Sequence, residues 1–150
     1  MMKSVIVGTD GSETANQAVR AAATLAAANG ARLTIVSAFV PVPRSRVRAE
    51  ARQAPSDVAF SVNPREDVED TLKQAVAAAK RVGVENVRTA SREGDPADAI
   101  ISVAEELHAD LVVIGNRGMS DPGAKRFLLS SVPDKISHHA PCSVLIVRTT

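Results

Sequence analysis

The sequence predicts an α/β fold: one doubly wound domain whose five-stranded parallel sheet carries helices on both faces. Three observations lead there. Short β-branched runs alternate with amphipathic stretches of helical period, in the order β-α-β-α-β-α-β-α-β. Most of those runs are continuous rather than alternating, the pattern of strands covered on both faces. The length, 150 residues, suits one domain, because a chain of that size buries about 68–70% of its unfolded surface without staples.

The first strand takes residues 4–7. A helix follows over 13–29, with Ser12 as N-cap and Gly30 at the C′ position. Ala15, Ala18, Val19, Ala22 and Ala26 recur on one face of it, and such small side chains let a helix lie close to a sheet. The second strand occupies 33–36. Residues 41–62 fit neither period. Pro41, Pro43, Pro55, Arg44, Arg46, Arg48 and Arg52 mark a long loop there, either a solvated excursion or a lid over a ligand.

The second helix spans 64–82. Asn63 caps it, Pro64 takes the first turn, Glu66 and Asp67 complement the positive end, Lys80 and Arg81 the negative end, and Gly83 stops it. Val68, Leu72, Val76 and Ala79 form its apolar stripe. The third strand, 86–89, alternates and reads as a sheet edge. The third helix starts at Asp95-Pro96 and turns Ala97, Ile100, Ile101, Ala104 and Leu107 one way. The fourth strand is 111–114, the fourth helix 132–139, and the fifth strand 144–147. No internal repeat is present.

Composition excludes several functions. With 45% hydrophobic and 23% charged residues the chain is not disordered. One cysteine, Cys142, allows no internal disulfide framework and no Cys-only zinc site; at the start of a strand it reads as an inert packing thiol. A net charge of +1 supplies no field for nucleic acid or anionic membrane. No Trp or Tyr and only three Phe leave no row on which bases could stack. No segment nears the roughly 20 apolar residues of a membrane helix, and the first apolar run is too short for a signal peptide. A cytoplasmic protein is expected, without nucleic-acid or membrane partners.

Ligands of open α/β sheets bind beyond the carboxyl ends of the strands, where strand order reverses. The segments following the strands are therefore the candidates. After strand one stands Gly8-Thr9-Asp10-Gly11-Ser12. Asp10 can accept hydrogen bonds from ribose hydroxyls, or serve only as an Asx-turn residue. After strand four stands Gly115-Asn116-Arg117-Gly118, and Ser130-Ser131 precede the helix beginning at Val132. Glycine-rich backbone leading to a helix N-terminus suits an anion. The spacing is neither a Walker A nor a Rossmann glycine motif. The strand–helix alternation and the two glycine turns predict that strands one and four are adjacent at the switch point.

Val7-Gly8-Thr9-Asp10-Gly11-Ser12, the Glu93-Gly94-Asp95-Pro96 turn, Gly115-x2-Gly118, Ser131-Val132-Pro133 and the run from His139 to Val147 together resemble the universal stress protein family. The resemblance covers nearly the whole chain apart from residues 41–62. It implies a sheet in order 3-2-1-4-5, a homodimer paired through Val144, Leu145, Ile146 and Val147, and a stress-response regulator binding ATP, with Mg2+ bridging the phosphates. Asp10 would hold ribose, with Thr9 and Gly11 beside it in the nucleotide site. Ala38, Phe39 and Val40 would line adenine. With Asn116, Arg117 and Val132 also among the nucleotide-binding residues, Gly115, Gly118, Ser130 and Ser131 would hold the phosphates. Lys125 and Arg126 either help neutralise them or flank a helix in solvent.

The phosphate loop departs from the family signature Gly-x2-Gly-x9-Gly-Ser/Thr. Eleven residues separate Gly118 from Ser130, and Ser130 stands where the last glycine belongs. A Cβ there crowds the phosphates, and Asp121 adds negative charge. A nucleotide-free dimeric interaction module and a relative preferring cyclic AMP are therefore the alternative readings. Turnover beyond a slow ATPase is not expected, because no general base stands out. His108, His138 and His139 read as surface residues, and no Gly-x-Ser-x-Gly elbow is present.

Overall fold

The computed structural model describes residues 1–39, 64–116 and 132–149, the side chains of residues 64–66 excepted. The elements run β1 (Ser4–Gly8), α1 (Glu13–Asn29), β2 (Arg32–Phe39), α2 (Pro64–Val82), β3 (Val87–Glu93), α3 (Pro96–Glu106), β4 (Leu111–Gly115), α4 (Val132–His139) and β5 (Ser143–Val147). The five strands form one parallel sheet in the order β3-β2-β1-β4-β5. β1 and β4 are therefore neighbours, and the strand order reverses between them, as expected. The Asn63 cap and residues 41–62 lie outside the described residues.

Alternation along the central strands divides the interior into two layers. Val5 and Val7 of β1, Leu33 and Ile35 of β2, and Val113 of β4 face α1 and α2. Ile6, Val36, Val112 and Ile114 face α3 and α4. On α1 the expected stripe is buried, joined by Ala23. Ser12 Oγ accepts from Ala15 N, and Gly30 closes the helix in the left-handed conformation at φ 63°. On α2, Val68, Leu72 and Ala79 are buried, with Ala75 beside them and Val76 at the margin. On α3 the stripe is rotated from the expected one: Ala99 and Val103 are buried, while Ile101 and Leu107 are only partly so. The helix faces the sheet and α4 together, so its buried arc is wider than one stripe.

The edge strands carry a correction. β3 is the expected edge, and it continues through Ser91, Arg92 and Glu93, paired with Ser37, Ala38 and Phe39. β5 forms the other edge, as the order 3-2-1-4-5 requires, but its continuous run, which reads as covered on both faces, is left partly open. Leu145 is 39% and Ile146 43% exposed in the single chain. A continuous apolar run signals two apolar faces; it does not say what covers them.

Candidate functional site

The site is built where β1 stops short of its neighbours. The sheet ladder is extended by one bond, Thr9 N to Val36 O at 2.9 Å. The chain then turns into α1. Thr9 is buried, its carbonyl accepts from Ser37 Oγ at 2.8 Å, and its own Oγ1 accepts from Gly11 N at 3.1 Å. Ser12 N donates to Asp10 Oδ1 at 2.8 Å. Gly11 between them has φ 84°, which an L side chain rarely adopts.

The Asx-turn reading of Asp10 holds. Its Oδ1 closes an Asx turn, while Oδ2 takes no hydrogen bond among the described residues. The turn orients a carboxylate oxygen that a ligand hydroxyl can reach.

The two flanking strands continue past the end of β1. Val36 O faces β1, whereas Phe39 O faces the other way and accepts from Gly94 N at 2.8 Å. Strand alternation therefore turns the Ala38 backbone toward the β1 side, level with the Thr9–Ser12 turn. The Ala38 side chain packs with the α3 layer and Phe39 with the α1 layer. On β4, Asn116 N donates to Val147 O at 2.9 Å, so the Gly115 backbone faces β1. Thr9, Asp10, Gly11 and the backbone of Ala38 and Gly115 thus border one notch at the carboxyl edge of the sheet, with the Phe39 side chain on its α1 side.

Asn116 does not aim its carbonyl into that notch. Its Oδ1 accepts from Thr149 N and Thr149 Oγ1, both at 2.8 Å, and ties the chain after β5 to the end of β4. Val132 opens α4, half-buried against the α3 layer. Val40, Arg117, Gly118, Ser130, Ser131, Asp121, Lys125 and Arg126 lie outside the described residues.

Elsewhere among the described residues such chemistry is lacking. His108, His138 and His139 are exposed, and the described residues hold no group of three or more metal-ligating side chains. Burial pushes the Cys142 thiol up, away from the reactive thiolate. A cavity of about 270 Å³ lies between the C-terminal ends of α1 and α2, at the opposite end of the sheet. The helix carbonyls there already accept from Gly30, Ala31, Gly83 and Val84, so little is left to bind a ligand. No described helix is long and apolar enough to cross a membrane.

Two contacts in the site have no sequence signal. A Cβ on Gly8 would run into Ile100 Cδ1, so the glycine admits α3 to the sheet directly below the notch. A Cβ on Gly11 would stand 2.9 Å from Thr71 Oγ1, which places α2 against the Asp10 turn.

Known proteins resemble this chain over nearly its whole length. Universal stress protein Rv1636 of Mycobacterium tuberculosis is 38% identical over 148 residues, covering 99% of this chain and 97% of the relative. A crystal structure of a universal stress protein in complex with cAMP superposes with TM-score 0.74 at 33% identity, covering 99% of this chain and 98% of the other. The Rv1636 crystal structure superposes with TM-score 0.60 at 36% identity, with 99% and 97% covered. A sequence profile of the universal stress protein family matches residues 1–148. The switch-point notch, the strand order and these likenesses agree, and the chain belongs to the universal stress protein family.

Proposed function

We propose that this protein is a stress-response regulator that binds an adenine nucleotide, ATP with Mg2+ in the first instance, in the notch above β1. The observation that carries the reading is the carboxylate of Asp10. One of its oxygens is held by Ser12 N, and the other is left to accept from a ribose hydroxyl, beside backbone turned inward from Ala38 and Gly115. Adenine would lie against Ala38, Phe39 and Val40. The phosphates would follow Gly115, Gly118, Ser130 and Ser131 to the start of α4, whose dipole favours anions. A metal riding on the phosphates needs few protein oxygens, since Mg2+ keeps several waters. A relative at 33% identity is described in complex with cAMP, which supports an adenine ligand and keeps cyclic AMP a serious rival to ATP.

Occupancy rather than turnover would be the signal, in a cytoplasmic homodimer paired through β5. Leu145 and Ile146 leave an apolar edge on the single chain, and edge pairing would cover it. Substituting Leu145→Lys with Ile146→Lys should give a monomer in sedimentation at micromolar concentration. Val147 is a poorer target, because it packs against the α1 layer. A wild-type monomer would refute this part.

Calorimetric titration with ATP, ADP and cyclic AMP, with and without Mg2+, tests the ligand. Asp10→Asn keeps an acceptor for Ser12 N and removes the ribose acceptor; it should cost about 1.5–3 kcal/mol of binding. Ser130→Gly should strengthen binding or leave it unchanged. If wild type binds no adenine nucleotide at millimolar concentration and Ser130→Gly creates no binding, the interaction-module reading replaces this one.

A further inference from the structure

A chain of polar contacts joins the two ends of the proposed site from behind. Lys135 lies in the first half of α4. Its Nζ stands 2.8 Å from Asp98 Oδ1 and 3.4 Å from Asp95 Oδ2, both on the first turn of α3. Asp95 is also the N-cap of α3, accepting from Asp98 N at 3.0 Å. The preceding residue, Gly94, donates to Phe39 O. Contacts thus run from the helix that would face phosphate, through the β3–α3 turn, to the end of β2 that would face adenine.

Apolar packing alone does not set that spacing. Pro133 and Ile136 bury α4 against the α3 layer, Ile136 completely. Such packing fixes the depth of a helix better than its slide or rotation, because dispersion contacts are weakly directional. The lysine bridge to two carboxylates is directional. Those carboxylates also favour the protonated amine, so the bridge keeps its charge through the neutral range.

We propose that Lys135 is a positioning residue of the nucleotide site, a strut that holds the start of α4 in register with the Gly94 turn and Phe39. The inference rests on the nucleotide reading above. Lys135 acts here through α4 and Asp98 rather than by touching phosphate. The side chain is about one-third exposed, so its contribution to global stability is small; its effect belongs in phosphate affinity.

Calorimetry on the full-length protein compares ATP with adenosine for wild type, Lys135→Met, Lys135→Arg and Asp98→Asn, alongside melting curves. Lys135→Met should weaken ATP about two- to fivefold, the scale of an exposed ion-pair network, and leave adenosine and the melting midpoint unchanged. Lys135→Arg should restore ATP affinity. Asp98→Asn should reproduce the loss, and the double variant should lose no more than either alone. Strengthened ATP binding in Asp98→Asn would mean the lysine touches phosphate directly, which overturns the strut. So would wild-type ATP affinity in Lys135→Met. Either result leaves the nucleotide reading standing, whereas a wild type blind to every adenine nucleotide overturns both.

Discussion

Substituting Gly11→Ala perturbs the turn that presents Asp10, and two separate costs can be worked from the geometry. The first is conformational. Gly11 sits at φ 84°, and an L residue on the left-handed side costs about 1–2 kcal/mol. The alanine chain has fewer unfolded conformations to lose, which returns about 0.4–1 kcal/mol. The second is steric. The new Cβ would stand 2.9 Å from Thr71 Oγ1 and 3.3 Å from Thr71 Cγ2. Threonine is stiff at χ1, so the clash cannot be relieved by an easy rotation, and overpacking of this sort costs about 1–3 kcal/mol.

The net expectation for Gly11→Ala is about 2–3 kcal/mol of lost stability, or roughly 5–10 °C in Tm for a domain of this size. The chain has no Trp or Tyr, so urea and thermal unfolding should be followed by far-UV circular dichroism. Adding Thr71→Ala removes Oγ1 and Cγ2 and leaves only Thr71 Cβ, 3.7 Å away at ordinary contact distance. The double variant should recover the steric part and retain about 1 kcal/mol of conformational cost. A single variant as stable as wild type would refute the assignment of φ and contact at this turn. A double variant no better than the single one would refute the Thr71 clash.

Gly8→Ala should destabilise by about 1–3 kcal/mol through overpacking against Ile100, and Ile100→Val, which removes the offending Cδ1, should recover part of it; denaturant midpoints decide. Asp110 accepts from Lys3 N at 2.7 Å and Ser4 N at 2.9 Å, and these bonds hold its carboxyl below the usual 3.8. A depressed folded pKa means this stabilisation is full above the unfolded value and disappears as pH falls through the folded one. Asp110→Asn should therefore lower stability at neutral pH and flatten the acid limb of the stability profile; an unchanged acid limb would count against it. His108 holds φ 50° just past α3, where glycine is the usual residue. His108→Gly should raise stability by about 0.5–1 kcal/mol, and a lower Tm would contradict that.

What was legible follows the range of the interactions. Each described helix and strand announced itself through period and end signals, because Ser12, Asp95-Pro96, Gly30 and Gly83 act within one turn of chain. The Asp10 turn was legible for the same reason: its two hydrogen bonds link residues two apart. The exposure of β5 in the single chain was not legible, because one strand's pattern contains no record of what covers it. Gly8 against Ile100, Gly11 against Thr71, Asn116 against Thr149 and Lys135 against Asp95 each join residues distant in sequence. None leaves a periodic trace, and each residue type is common on protein surfaces or in turns. Three of these four contacts border the notch and the other braces α4 behind it. The local signals therefore locate the candidate site at the end of β1, while the long-range contacts set the spacing of the elements around it. A substitution at Asp10 should accordingly abolish an interaction with the ligand, and one at Lys135 should change only how well the remaining interactions are aligned.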